Sequence, residues 1–144
     1  MKKYLILCFF LVPTLNIVSA QTQGSVLVQV KNARNNRGKM FISIYKKEHF
    51  LDTGIPPFRG IVVLVNGNAT EGTIANLDAG DYGVAIYHDE NDNGQMDFSF
   101  LGFPTEGYGF SNNVHPRFSA PSFASCRISL SAGSTKTVAI SLVY

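Results

Sequence analysis

The chain has 144 residues, 12 basic and 10 acidic side chains, a formal net charge of +2 and no tryptophan. With 45% hydrophobic residues it is too apolar for a disordered polymer. Its charge is too balanced to supply the basic stripe that a phosphate backbone requires, which argues against nucleic acid as a partner.

Met1, Lys2 and Lys3 form a short positive region, residues 4–12 an apolar run, and Val18-Ser19-Ala20 a group of small residues before Gln21. This is the pattern of a secretory signal peptide, residues 1–20, and predicts export of residues 21–144 to the periplasm or the extracellular space. The apolar run is too short to anchor, and Pro13 ends it. No later apolar segment is long enough to cross a membrane, so no transmembrane segment is expected after cleavage. Cys8 follows Leu7, not the small residue that a lipoprotein cleavage site wants. Loss of Lys2 and Lys3 leaves ten basic against ten acidic residues. The remaining 124 residues suffice for one domain with one core. Only Cys126 survives, so no intramolecular disulfide can form. It alternates with Ile128 and Leu130, and reads either as a small buried hydrophobe or as a reactive thiol.

A period of two dominates the mature chain. Val26, Val28 and Val30 alternate with Leu27, Gln29 and Lys31, and Met40, Ile42 and Ile44 alternate with Phe41, Ser43 and Tyr45. Asn35-Asn36-Arg37-Gly38 between them predicts a hairpin turn. Strands at 61–65 and 70–75 flank Asn66-Gly67-Asn68, a second expected hairpin. Further strands are expected at 82–87, 126–130 and 137–143, the last two joined by a turn at Ala132-Gly133-Ser134. Residues 46–52 could form one helical turn before Gly54 and Pro56-Pro57 stop it. Leu77-Asp78-Ala79-Gly80-Asp81-Tyr82 has the spacing of a tyrosine corner, or of an ordinary Asp-Gly turn before an aromatic strand residue.

The expectation is an all-β domain: a seven-stranded antiparallel Greek-key β-sandwich, immunoglobulin-like or transthyretin-like, with a long irregular loop region over 89–124. An outer-membrane barrel needs about eight long, unbroken strands. Pro104, Pro116 and Pro121 interrupt that demand.

The stretch HDENDNGQMD, residues 88–97, gathers four acids and three amides in one loop. Such a loop repels itself unless a positive charge sits within it. Asp89, Asn91, Asn93 and Asp97 occupy the first, third, fifth and ninth places of a calcium-loop pattern, with Gly94 sixth for the sharp turn. Gln95 can offer its backbone carbonyl. The twelfth place, glutamate in an EF-hand, is Phe100, so the missing ligand must come from elsewhere, and Glu106 is the nearest candidate. Hard oxygen donors suit Ca2+ rather than zinc. The alternative is a solvated Asx-rich turn.

Tyr108, Phe110 and Asn112 in the second polar run could stack a sugar ring or grip a peptide, or could close over an open sandwich end. The expected function is an exported binding or structural module with a calcium-stabilised loop and no catalytic residue. The alternative is an unrecognised periplasmic hydrolase using 88–115, recruiting His88, Glu106, Ser111 and His115. Neighbouring strand residues face opposite ways, however, so His88 and Asp89 should not share a site, and no GxSxG, HExxH or phosphate loop is present. Nothing in the pattern specifies an oligomeric state.

The run HDENDNGQMD, followed by Phe103-Pro104-Thr105-Glu106-Gly107-Tyr108-Gly109-Phe110-Ser111-Asn112-Asn113 and by Ala120-Pro121-Ser122-Phe123, resembles an uncharacterised family of secreted bacterial proteins, domain of unknown function 2141. The resemblance covers most of the mature chain and implies an exported β-sandwich-type domain without an established activity. Members often carry acids after the Pro-Ser-Phe run. Ala124, Ser125 and Cys126 stand there in this chain, so a role resting on those acids is not implied.

Overall fold

Val26, Val28 and Val30 turn one way from the backbone and their neighbours the other, and this alternation makes β1 (Gln23–Lys31) a strand with one buried face. The computed structural model describes residues 22–116 and 119–144. The expected signal peptide lies outside the described residues. After β1 come β2 (Lys39–Tyr45), β3 (Arg59–Leu64), β4 (Glu71–Asp78), β5 (Gly80–Asp89), β6 (Gly107–Phe110), β7 (Arg127–Leu130) and β8 (Thr135–Ser141). A 3-10 turn at Lys47–His49 falls where one helical turn was expected, and a single α-helical turn, α1 (Phe123–Cys126), precedes β7.

The strands form two sheets, β4-β1-β8 and β3-β2-β5-β6, with β7 also pairing β5. Val28 and Val30 of β1, Ile42 and Ile44 of β2, Val84 of β5 and Ile140 of β8 are fully buried in one core shared by both sheets. Each such side chain contributes roughly 1.5–3 kcal/mol of transfer free energy, opposed by conformational entropy. The corner between the sheets is a tyrosine corner: the Tyr82 hydroxyl donates to the Asp78 carbonyl at 2.8 Å, carrying the chain from β4 into β5.

Three expectations are corrected. Among the described residues there are eight strands, not seven, because Gly107–Phe110 is a strand inside the region read as irregular. Its inward positions are glycines, and they are glycines because neighbours fill the space. A Cβ on Gly107 would stand 2.5 Å from the Tyr144 ring, and one on Gly109 2.7 Å from Ile140 Cγ2. Inward glycines erase the hydrophobic alternation by which strands are read. Second, the sheets are not wholly antiparallel, since β1 and β8 pair in parallel from Ser25↔Thr135 to Lys31↔Ser141. Third, the two expected hairpins do not exist. β1 pairs β4 and β8 while β2 pairs β3 and β5, so the Asn35 to Gly38 turn passes between sheets, and the Asn66 to Asn68 turn does likewise between β3 and β4. Alternation says which face of a strand is buried, but not which strand lies beside it.

Candidate functional site

β5 ends by presenting His88 and Asp89, both fully buried, on alternate faces of the strand. The His88 imidazole meets the Tyr144 hydroxyl at Nδ1 (3.0 Å) and the Arg37 carbonyl at Nε2 (2.7 Å). A carbonyl only accepts, so Nε2 carries the hydrogen and donates to Arg37, while the Tyr144 hydroxyl also accepts from the Arg34 N–H at 3.0 Å. Asp89 instead turns into the loop, its Oδ1 accepting from the Asn93 N–H at 3.1 Å and its Oδ2 from the Gly94 N–H at 2.8 Å. The two side chains do not share a site, as their adjacency requires.

The loop after β5 collects the residues of the calcium pattern. Asn91 Oδ1 accepts from the Asn93 N–H at 3.1 Å, and Asn93 Oδ1 from the Gln95 N–H at 2.8 Å. The side-chain amides of Asn91 and Asn93 reach the Asp97 carboxylate at 2.6 Å and 3.1 Å. Glu106 is brought to the same loop from the entry to β6, yet it faces backbone: Oε1 accepts from the Glu90 N–H at 2.9 Å and Oε2 from the Asp97 N–H at 3.2 Å. It therefore ties the start of the loop to its end. The Gln95 side chain is exposed. Among the described residues no three His, Cys, Asp or Glu side chains group as a metal centre, so a cation here would draw on the amide oxygens of Asn91 and Asn93 as well as on Asp89 and Asp97.

Charge around the loop is unevenly compensated. Arg34 pairs with Glu90 at 2.6 Å and Lys39 with Asp92 at 2.7 Å. Arg34 also lies 4.3 Å from the centre of the Tyr144 ring. Burial pushes the Glu90 carboxyl up, but hydrogen bonds from Arg34 and Asn35 outweigh it and hold the group below the usual glutamate range. Asp89, Asp97 and Glu106 have no such ion pair among the described residues.

Beside this loop the outer face of the larger sheet carries a row of large side chains. Val62, Phe41, Tyr87 and Tyr108 are register partners across β3, β2, β5 and β6. Ser43, Ala85 and Phe110 form the neighbouring row. Residues 96–104 rise along this face, and together they enclose a cleft of about 480 Å³. Ser43, Tyr45, Ala85, Tyr87, Tyr108 and Phe110 contribute from the sheet, Met96, Phe98, Phe103 and Pro104 from the loop, and Pro116, Ser119 and Ala120 from the segment before α1; among the described residues no Asp, Glu, Lys, Arg or His lines it. The size falls in the range, roughly 300–1,000 Å³, of clefts that hold small ligands. Burial pushes the Tyr45 phenol up, partly offset by a bond with Ser43, and pushes the Tyr87 phenol up as well; both rings stay neutral near pH 7.

Of the residues expected near a ligand, Tyr108 and Phe110 line this cleft. Asn112 does not: at φ 61° its amide donates to the carbonyls of Ser125 and Arg127 at 2.9 and 3.0 Å, fastening the chain to α1 and β7. The residues a hydrolase would recruit are not assembled. Ser111 is fully buried, its hydroxyl accepting from the Val84 N–H at 3.0 Å and donating to the Cys126 carbonyl. His115 is exposed, and none of His88, Glu106, Ser111 and His115 lines the cleft. The Cys126 thiol is buried and its pKa is pushed up by that burial, against an opposing bond to Ser125, which suits packing and not nucleophilic attack. The contribution of Tyr45, Tyr87, Phe98 and Phe103 was missed in the sequence. The usable signal was Phe41, Tyr45 and Tyr87, large aromatics at positions the alternation assigns to solvent.

The family model of an uncharacterised protein conserved in bacteria, domain of unknown function 2141 (DUF2141), matches residues 28–138, and the chain belongs to that family. No curated protein and no solved structure matches it.

Proposed function

We propose that this member of the family is an exported binding module: a Greek-key β-sandwich of immunoglobulin-like or transthyretin-like kind that holds an uncharged ligand on the outer face of its larger sheet. Export rests on the Met1 to Ala20 pattern. The observation that carries the binding reading is the cleft of about 480 Å³ with aromatic walls and, among the described residues, no charged side chain in its lining. A soluble protein hides such surface unless something else covers it.

The loop between β5 and β6 forms one wall of that cleft, and calcium is its proposed brace. Support comes from convergence: Asn91 and Asn93 both reach the Asp97 carboxylate, while Asp89 holds the turn through Asn93 and Gly94. A hard cation bound to that carboxylate would take the place of the two amide N–H groups.

The test is a small-molecule screen read by amide NMR, run on the native sequence and on Ala85→Phe, which fills the cleft floor at a half-exposed strand position. Uncharged hits should shift residues around Tyr45, Ala85 and Tyr108, and lose affinity in the variant. Hits that map elsewhere, or that bind the variant equally well, overturn the reading.

A further inference from the structure

The cleft opens beside a bare apolar turn. The Ser99 N–H donates to the Phe103 carbonyl at 2.7 Å, the Gly102 N–H to the Ser99 carbonyl at 2.8 Å, and the Phe103 N–H to Ser99 Oγ at 3.1 Å. Gly102, at φ 79°, closes the turn in a conformation that favours glycine. These bonds hold Phe98, Phe100, Leu101 and Phe103 outward at 60, 102, 75 and 57% exposure. Phe98 and Phe103 also line the cleft, so one apolar surface runs from the tip of the turn to the cleft floor.

What covers that surface is decided by shape, area and charge. Four side chains on one turn offer far less than the roughly 800 Å² per partner of a stable protein interface. Phe100 protrudes fully, so a second copy would need a matching pocket. A bilayer needs none, since its interface accepts aromatic and leucine side chains to a depth of about 5–10 Å. Residues 98–104, Phe-Ser-Phe-Leu-Gly-Phe-Pro, carry no charge to oppose entry. Of the nearby acids, Glu90 and Asp92 are paired with Arg34 and Lys39, and Asp97, next to Phe98, accepts from the Asn91 and Asn93 amides.

We infer that the turn at residues 98–103 dips into a membrane surface and that the cleft behind it takes the hydrocarbon chain of a bilayer lipid. The inference rests on the reading of the cleft as the ligand site. The lining, uncharged among the described residues, suits an alkyl or isoprenoid chain, which asks for no counter-charge and leaves its polar head at the mouth. A glycan would demand more hydrogen-bonding groups than Ser43, Ser119 and the tyrosine hydroxyls supply among the described residues.

The test exploits the absence of tryptophan. Phe100→Trp makes the tip the sole tryptophan, and phosphatidylcholine vesicles should shift its emission to shorter wavelength. After the vesicles are removed by flotation, the protein should retain phosphatidylcholine; Ala85→Phe, added to the same background, should lose the retained lipid while keeping the emission shift. In vesicle-free buffer the uncharged probe N-phenyl-1-naphthylamine should bind the native protein and not Ala85→Phe. Probe binding without an emission shift leaves the cleft reading standing and overturns the membrane inference. An emission shift without lipid retention overturns the chain in the cleft. A probe that fails to bind the native protein overturns both.

Discussion

Phe41 of β2 and Tyr87 of β5 stack face to face on the outer surface of the larger sheet, ring centres 4.6 Å apart and planes 8° from parallel. The Tyr87 hydroxyl then donates to the Gly94 carbonyl at 3.3 Å, so the floor of the cleft is tied to the loop that walls it. Tyr87→Phe should cost about 0.5–1 kcal/mol, one neutral hydrogen bond. Tyr87→Ala should cost about 0.5–1.5 kcal/mol more for the lost aromatic pair, on top of the lost burial. Urea unfolding of the two variants separates these contributions; equal losses would mean that the stack adds nothing.

Calcium should raise the stability of the native chain. For an affinity near 10⁻⁴ M, about 1 mM calcium stabilises the folded state by about 1.4 kcal/mol, or roughly 5 °C of midpoint. Asp97→Asn removes the carboxylate that Asn91 and Asn93 both approach, and should abolish the difference. Scans in calcium and in chelator provide the comparison, and coincident midpoints for the native chain remove the ion.

Glu90 sets an acid limit. Its folded carboxyl is held below the ordinary value of 4.5 by Arg34 and Asn35 in spite of burial. Its contribution is therefore fully present above that value, where the unfolded chain is ionised too, and is lost as pH falls through the lower folded value. Stability measured from neutral pH into this range should fall less steeply in Glu90→Gln, and parallel curves would exclude the pair as a source of acid sensitivity.

Gly38 passes under the end of β5. At φ 66°, a Cβ there would stand 1.8 Å from the Asp89 carbonyl oxygen. Gly38→Ala should destabilise the fold by more than about 1 kcal/mol, since both the backbone conformation and the contact oppose it. Denaturant unfolding checks this, with Gly54→Ala as the comparison: Gly54 also has positive φ but has open space around its Cβ position.

Seven of the eight described strands were legible because most of their inward residues are valines, isoleucines, leucines or methionine at a spacing of two, and spacing is a local property. β6 was not, because its inward places are glycines beneath Tyr144 and Ile140. The tyrosine corner could be read from Asp78, Gly80 and Tyr82 because its bond closes within five residues. Glu106 could be named as a neighbour of the acidic loop, but whether it faces an ion or backbone N–H groups depends on how β6 returns alongside β5. The cleft could not be read at all. Its walls come from β2, β5, β6, residues 96–104, Leu51, Pro116, Ser119 and Ala120, and no local pattern says that these meet.

By itself the amino-acid order determined seven of the eight described strands, the tyrosine corner and the crowding of acids after β5, since each follows from a residue and its near neighbours. Only the tertiary structure decided that β1 and β2 lie in different sheets, that β1 and β8 run parallel, and that Phe41, Tyr87 and Tyr108 share one outward row. Pairing between distant strands is selected by how whole faces pack, a free energy that belongs to the assembled core and to no single segment.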